Sequence, residues 1–93
     1  MEIAVVVFKM RGCPACASYV PRFQKIADTY PRNFLIYVVD ADQRSREAEQ
    51  YRIQAVPTTL ILKRGVDRPV RRVEGDISNL EIKGLLDTAL RLS

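Results

Sequence analysis

The sequence predicts an α/β domain, a mixed sheet covered by helices on both faces, and three observations carry that prediction. Residues 3–8, Ile-Ala-Val-Val-Val-Phe, form a continuous apolar, β-branched run, the pattern of a strand buried on both faces in a parallel sheet. A helical pattern follows it at once. Further apolar runs then alternate with helical ones in the order β-α-β-α-β-β-α. Ninety-three residues, with 47% hydrophobic and 28% charged, make one domain spanning residues 1–93, near the size at which a single core just suffices.

Each element has its own signal. After the first strand, Lys9-Met10-Arg11-Gly12 reads as a loop. Cys13, Cys16, Ala17, Val20, Phe23, Ala27 and Tyr30 recur at helical spacing, so a helix is predicted over residues 13–30, ended by Pro31. Pro21 lies inside it and predicts a kink, because it lacks an N–H and its ring crowds the preceding turn. Residues 34–39 read as a second buried strand, and 44–51 as a short helix that is polar except for Ala48 and Tyr51. Residues 58–62 are a third strand, and 70–74 a fourth, joined across Gly65 and Pro69 as an antiparallel hairpin that Gly75 ends. Ser78 and Glu81 predict a capping box for the last helix, with Ile77 and Ile82 as its hydrophobic staple. Leu85, Leu86, Ala89 and Leu90 continue the buried stripe, and Gly84 is its weak point.

The most informative motif is Cys13-Pro14-Ala15-Cys16, which holds the only two cysteines of the chain. A dithiol three residues apart, after a strand and at the start of a helix, is what thiol–disulfide exchange requires: one sulfur attacks and the other displaces the product. A helix N-terminus offers free N–H groups and partial positive charge, which favour a thiolate on Cys13. Cys16, one turn inside, suits a resolving role. Two buried small hydrophobes at helical spacing are the plainer alternative. Pro14 fits the first helical turn, where there is no N–H bond to lose, and it also stiffens the loop between the sulfurs. Val56-Pro57-Thr58 is the second candidate site. Pro57 is either punctuation before a strand or a cis residue that leaves the Val56 backbone free to pair with an extended substrate.

Composition narrows the function classes. The first residues have no basic region and no small-residue cleavage site, and the apolar run is too short to span a bilayer. The expectation is therefore a cytoplasmic protein with no membrane contact. A structural disulfide is not expected in a reducing compartment. Zinc needs about four ligands, and the chain has two Cys and no His, so a metal would have to bridge two subunits or recruit an external thiol. The net charge is +4. Lys63, Arg64, Arg68, Arg71 and Arg72 cluster around Asp67, either as solvated charges guarding an edge strand or as a patch for an acidic partner. No aromatic residues interleave them, which argues against nucleic acid.

The dithiol after a strand, Pro21 eight residues beyond Cys13, the segment from Tyr51 through Val56-Pro57-Thr58, and Gly75 after the hairpin together resemble the thioredoxin and glutaredoxin family. The resemblance covers nearly the whole chain. It implies a thioredoxin-like fold around a four-stranded mixed sheet, without the additional amino-terminal strand and helix of thioredoxin. It implies dithiol–disulfide oxidoreductase activity through Cys13 and Cys16 in a monomer without a bound cofactor, and a cis bond before Pro57, packed against a Cys13–Cys16 disulfide. Pro14, Ala15, Val56, Pro57 and Gly75 would line the substrate site. Protein disulfides would be the substrates, with a thioredoxin reductase or glutathione as electron donor. Three departures accompany it. Gly12 stands where thioredoxin has Trp. Val7 and Val38 stand where thioredoxin buries an Asp and a Lys, so no internal base for Cys16 is evident. The double glycine of glutaredoxin is absent, although Lys9 or Arg11 could meet a glutathione carboxylate and Gly75-Asp76 its amino end. A non-catalytic binding module of the same fold is the rival from another class, and a dimer holding zinc or an iron–sulfur cluster is a third reading.

Overall fold

A computed structural model of the chain describes residues 2–43 and 45–93. Its elements follow the predicted order: β1 Ile3–Lys9, α1 Pro14–Ala27, β2 Leu35–Asp40, α2 Ser45–Gln50, β3 Thr58–Lys63, β4 Arg71–Glu74 and α3 Asn79–Leu92. The predicted start of the short helix at Arg44 lies outside the described residues, as does Met1. The strands form one mixed sheet in the order β2-β1-β3-β4. β1 runs parallel to β2, with Lys9 opposite Asp40, and antiparallel to β3, with Val7 opposite Thr59. β3 and β4 form the expected antiparallel hairpin.

Because side chains alternate along a strand, β1 feeds two cores. Ile3, Val5 and Val7 face Tyr19, Phe23 and Ala27 of α1 and Ile82, Leu85, Leu86 and Ala89 of α3. Val6 and Phe8 face the other way, onto Val39, Ala41 and Leu60, with Ala48, Tyr51 and Ile53 packed against them. Helices therefore cover both faces, two on one and the short α2 on the other. α3 begins with the predicted capping box: the Ser78 hydroxyl accepts from the Glu81 N–H while the Glu81 carboxylate accepts from the Ser78 N–H.

Four expectations are corrected. The helical stripe of α1 includes Tyr19 and leaves out Ala17: Cys16, Tyr19, Phe23 and Ala27 are buried, Val20 packs against the same core, and Ala17 is exposed. α1 runs as one element through Pro21 and stops at Ala27, not Tyr30. The chain tightens there into turns in which the N–H groups of Thr29 and Tyr30 donate to the carbonyls of Ile26 and Ala27. β2 is not buried on both faces. It is an edge strand on which Leu35 and Tyr37 are 48% and 40% exposed, since the six residues of α2 cover only part of their face. Arg72 stays exposed but is not a free charge of the basic cluster: its guanidinium donates to the carbonyls of Tyr51 and Arg52 and pairs with Glu74.

Candidate active site

β1 carries the chain to the sheet's carboxyl edge, and Gly12, at φ +76°, turns it into α1. A side chain at Gly12 would meet no atom within 4 Å, so the turn needs glycine for its left-handed backbone and not for space. Cys13 then sits at the N-cap of α1 in extended conformation, and Pro14 occupies the first turn as expected. The Cys13 sulfur accepts a hydrogen bond from the Cys16 N–H at 3.1 Å. That contact is the helix-terminus effect in atomic form, a backbone donor aimed at the sulfur that would carry negative charge.

Cys13 and Cys16 are joined in a disulfide, their Cα atoms 5.2 Å apart. The two sulfurs are unequal. Cys13 is half-buried, whereas Cys16 is only 3% exposed. Ala15 is half-buried and Pro14 exposed.

The second wall comes from the loop before β3. The Val56–Pro57 bond is cis, and the Cys13 sulfur lies 3.7 Å from the Val56 carbonyl oxygen. Pro57 is buried and Val56 half-buried. The third wall is the turn after β4, where the Gly75 N–H donates to the Pro57 carbonyl at 2.8 Å. The structure thus brings Cys13, Val56, Pro57 and Gly75 into one connected arrangement at the carboxyl ends of the parallel strands, where open sheets of this type gather their chemistry. The Arg11 side chain is 78% exposed and lies 3.6 Å from the Asp42 carboxylate.

Three features escaped the sequence reading. The Tyr19 hydroxyl shares a hydrogen bond with the Thr59 hydroxyl at 2.8 Å, fully buried. Arg22 grips the turn after β4: it pairs with Asp76, donates to Asn79 Oδ1 at 2.5 Å and to the Ile77 carbonyl at 2.8 Å, and stacks 5.8 Å from the Tyr19 ring centre. Lys9 pairs with Asp40 at 2.5 Å. Tyr19, three residues after Cys16 on the buried stripe, was the one signal available, because a buried phenol calls for a partner. Among the described residues, no group of three or more His, Cys, Asp or Glu is placed to hold a metal, and no helix is long and apolar enough to cross a membrane.

A half-buried N-cap cysteine, bonded to a buried cysteine one turn along and walled by a cis-proline loop, defines a thiol–disulfide oxidoreductase with a redox-active disulfide. The thioredoxin family model matches residues 1–88, and the chain belongs to the thioredoxin family. It is 27% identical to thioredoxin H5 of Arabidopsis thaliana over 92 residues, covering 95% of this chain and 77% of that one. It is 29% identical to a thioredoxin H-type of Oryza sativa subsp. indica over 94 residues, covering 99% and 76%. The fold matches the crystal structure of Malassezia sympodialis thioredoxin with a TM-score of 0.84 at 27% identity, covering 95% of this chain and 75% of that one. These similarities do not favour the glutaredoxin alternative. Thioredoxins act on protein disulfides, are served by a reductase and carry no prosthetic group.

Proposed function

We propose that Cys13 attacks a substrate protein disulfide and that Cys16 resolves the mixed disulfide so formed. Cys16 then displaces the reduced substrate thiol, leaving Cys13–Cys16 oxidised. The observation that carries this division of labour is the unequal burial of the sulfurs, together with the Cys16 N–H directed at the Cys13 sulfur. A half-buried sulfur can be reached by a bulky disulfide; one that is 3% exposed can meet only its neighbour. The extended substrate passes over Pro14 and Ala15 and pairs with the Val56 backbone between Pro57 and Gly75, as peptides add to exposed backbone elsewhere. Residues 1–93 act as a single-domain monomer in the cytoplasm, and a thioredoxin reductase returns the disulfide to the dithiol without glutathione.

The test is a trap. Cys16→Ser should accumulate a stable mixed disulfide with a protein substrate such as insulin, read by mass, while Cys13→Ser should form none. Turnover should fall at least about 100-fold in both variants, since neither can complete the exchange. A trapped adduct on Cys16 in the Cys13→Ser protein, matching that of the reciprocal variant, would reverse the assignment. Turnover with a thioredoxin reductase alone, set against turnover with glutathione alone, identifies the donor.

A further inference from the structure

A cavity of about 320 Å³ opens beside the disulfide, and Lys9, Met10, Cys13, Cys16, Val20 and Pro21 are among the residues that line it. Apart from the sulfurs, Lys9 is the one side chain in that lining with an ionisable group. Lys9 is the last residue of β1 and stands in register with Asp40, the last residue of β2. Its ammonium donates to the Asp40 carboxylate at 2.5 Å, with 32% and 23% of the two side chains exposed. Asp40 does not line the cavity. The ion pair therefore puts Lys9 in the wall that the two sulfurs share, with its counter-charge on the neighbouring strand and outside that wall. No other charged side chain lines the cavity: Arg11, between Met10 and Gly12, turns to Asp42 at 3.6 Å, and α1 contributes no charge to the lining. Beside a sulfur that is only 3% exposed, a charge acts more strongly than it would between two groups at the open surface.

We propose that the Lys9 ammonium, held at the cavity by Asp40, stabilises the Cys16 thiolate during the resolving step. This rests on the oxidoreductase reading and deepens it. Cys16 cannot attack as a thiol, and it has little access to bulk water. In the step, the Cys16 S–H gives its proton to water in the open cavity and becomes a thiolate facing the ammonium. The thiolate attacks the Cys13 sulfur, and the Cys13–Cys16 bond forms. The bond from Cys13 to the substrate sulfur breaks, and the substrate leaves as a thiolate that takes up a proton. The two electrons that reduce the substrate come from the Cys13–Cys16 pair, and Lys9 keeps its proton throughout.

The test mixes reduced protein rapidly, in excess, with an aromatic disulfide whose thiol product is coloured. The first release reports attack by Cys13 and the second reports resolution by Cys16, so the pH midpoint of the second phase can be followed separately. Lys9→Met should raise that midpoint by about one pH unit and slow the second phase about tenfold at neutral pH, while Lys9→Arg should keep both near wild type. Lys9→Met leaves Asp40 unpaired, which could itself raise the midpoint or unfold the protein. Lys9→Met combined with Asp40→Asn removes both charges and should show a shift of the same sign. A second-phase midpoint unmoved in the double variant, with the first phase intact, would overturn the proposal, as would Lys9→Arg behaving like Lys9→Met. Absence of any release by the wild-type protein would instead sink the oxidoreductase reading beneath it, and this one with it.

Discussion

Tyr19 and Thr59 share a hydrogen bond at 2.8 Å although 40 residues separate them, and both side chains are sealed from solvent. Tyr19 lies three residues beyond Cys16, and Thr59 two beyond Pro57, so the bond ties the helix of the dithiol to the strand that follows the cis-proline. Tyr19→Phe would leave the Thr59 hydroxyl buried without its partner, at a cost of about 1–3 kcal/mol. Thr59→Val alone would strand the phenol by a similar amount. The double variant should cost less than the sum of the two, because neither orphan remains. Urea unfolding of the three proteins checks this; strict additivity would mean that the bond does not couple the two elements.

Gly75 predicts a different kind of loss. Its φ is +100°, and a Cβ added there meets no heavy atom within 4 Å. Gly75→Ala should therefore cost about 1–2 kcal/mol purely through the backbone. It should also lower kcat/KM for protein substrates, because on the proposed path the substrate passes Gly75 and would meet the added methyl group. Denaturant midpoints and insulin turnover measured on the same sample separate the two effects. A fully active, fully stable Gly75→Ala protein would contradict both.

Arg22 holds the turn that carries Gly75, through Asp76, Ile77 and Asn79. About a third of each charged side chain in the Arg22–Asp76 pair remains exposed, so the ion pair itself adds little. The hydrogen bonds to the Ile77 carbonyl and the Asn79 side chain carry more. Arg22→Gln should lower stability by about 1 kcal/mol and speed amide exchange at Gly75, whose N–H is bonded to Pro57. Exchange at Gly75 unchanged from wild type would show that the turn holds itself.

Local signals made much of this fold legible before any coordinates. The β-branched run of β1, the capping box at Ser78 and Glu81, and a cysteine preceding proline at a helix start are each decided by neighbours within four residues. The parts that escaped depend on distant pairing. Lys9 meets Asp40 only because β1 and β2 lie parallel in one particular register, and a slip of one residue would turn one of the two to the opposite face. Arg72 looked like one more solvated cation of the hairpin, yet its guanidinium closes on the carbonyls of Tyr51 and Arg52 from 20 residues away and more. Leu35 and Tyr37 looked buried because an apolar run gives no account of what lies above it. The cis bond at Val56–Pro57 was foreseen from the resemblance alone, since a single proline before a strand is compatible with either isomer.

Alkaline pH should weaken this protein through two phenols. Burial pushes the Tyr19 hydroxyl above its ordinary value near 10, opposed by its bond to Thr59 and by the Arg22 charge. Tyr30 is pushed up to about 12, first by desolvation and then by the Asp87 carboxylate 2.6 Å from its oxygen. In both, the native state holds its proton more tightly than the unfolded chain does. The contribution is therefore complete below about pH 10 and is lost as pH rises through the native value, because the native state then binds the excess protons. Stability measured in urea should fall more steeply between about pH 10 and 12 in wild type than in Tyr30→Phe, which lacks the linked proton. The absorbance change of phenolate formation, taken as the difference between the two proteins, should place the Tyr30 titration in that same window. Parallel slopes in the two proteins would mean that neither the burial of the Tyr30 hydroxyl nor its contact with Asp87 holds the phenol proton in solution.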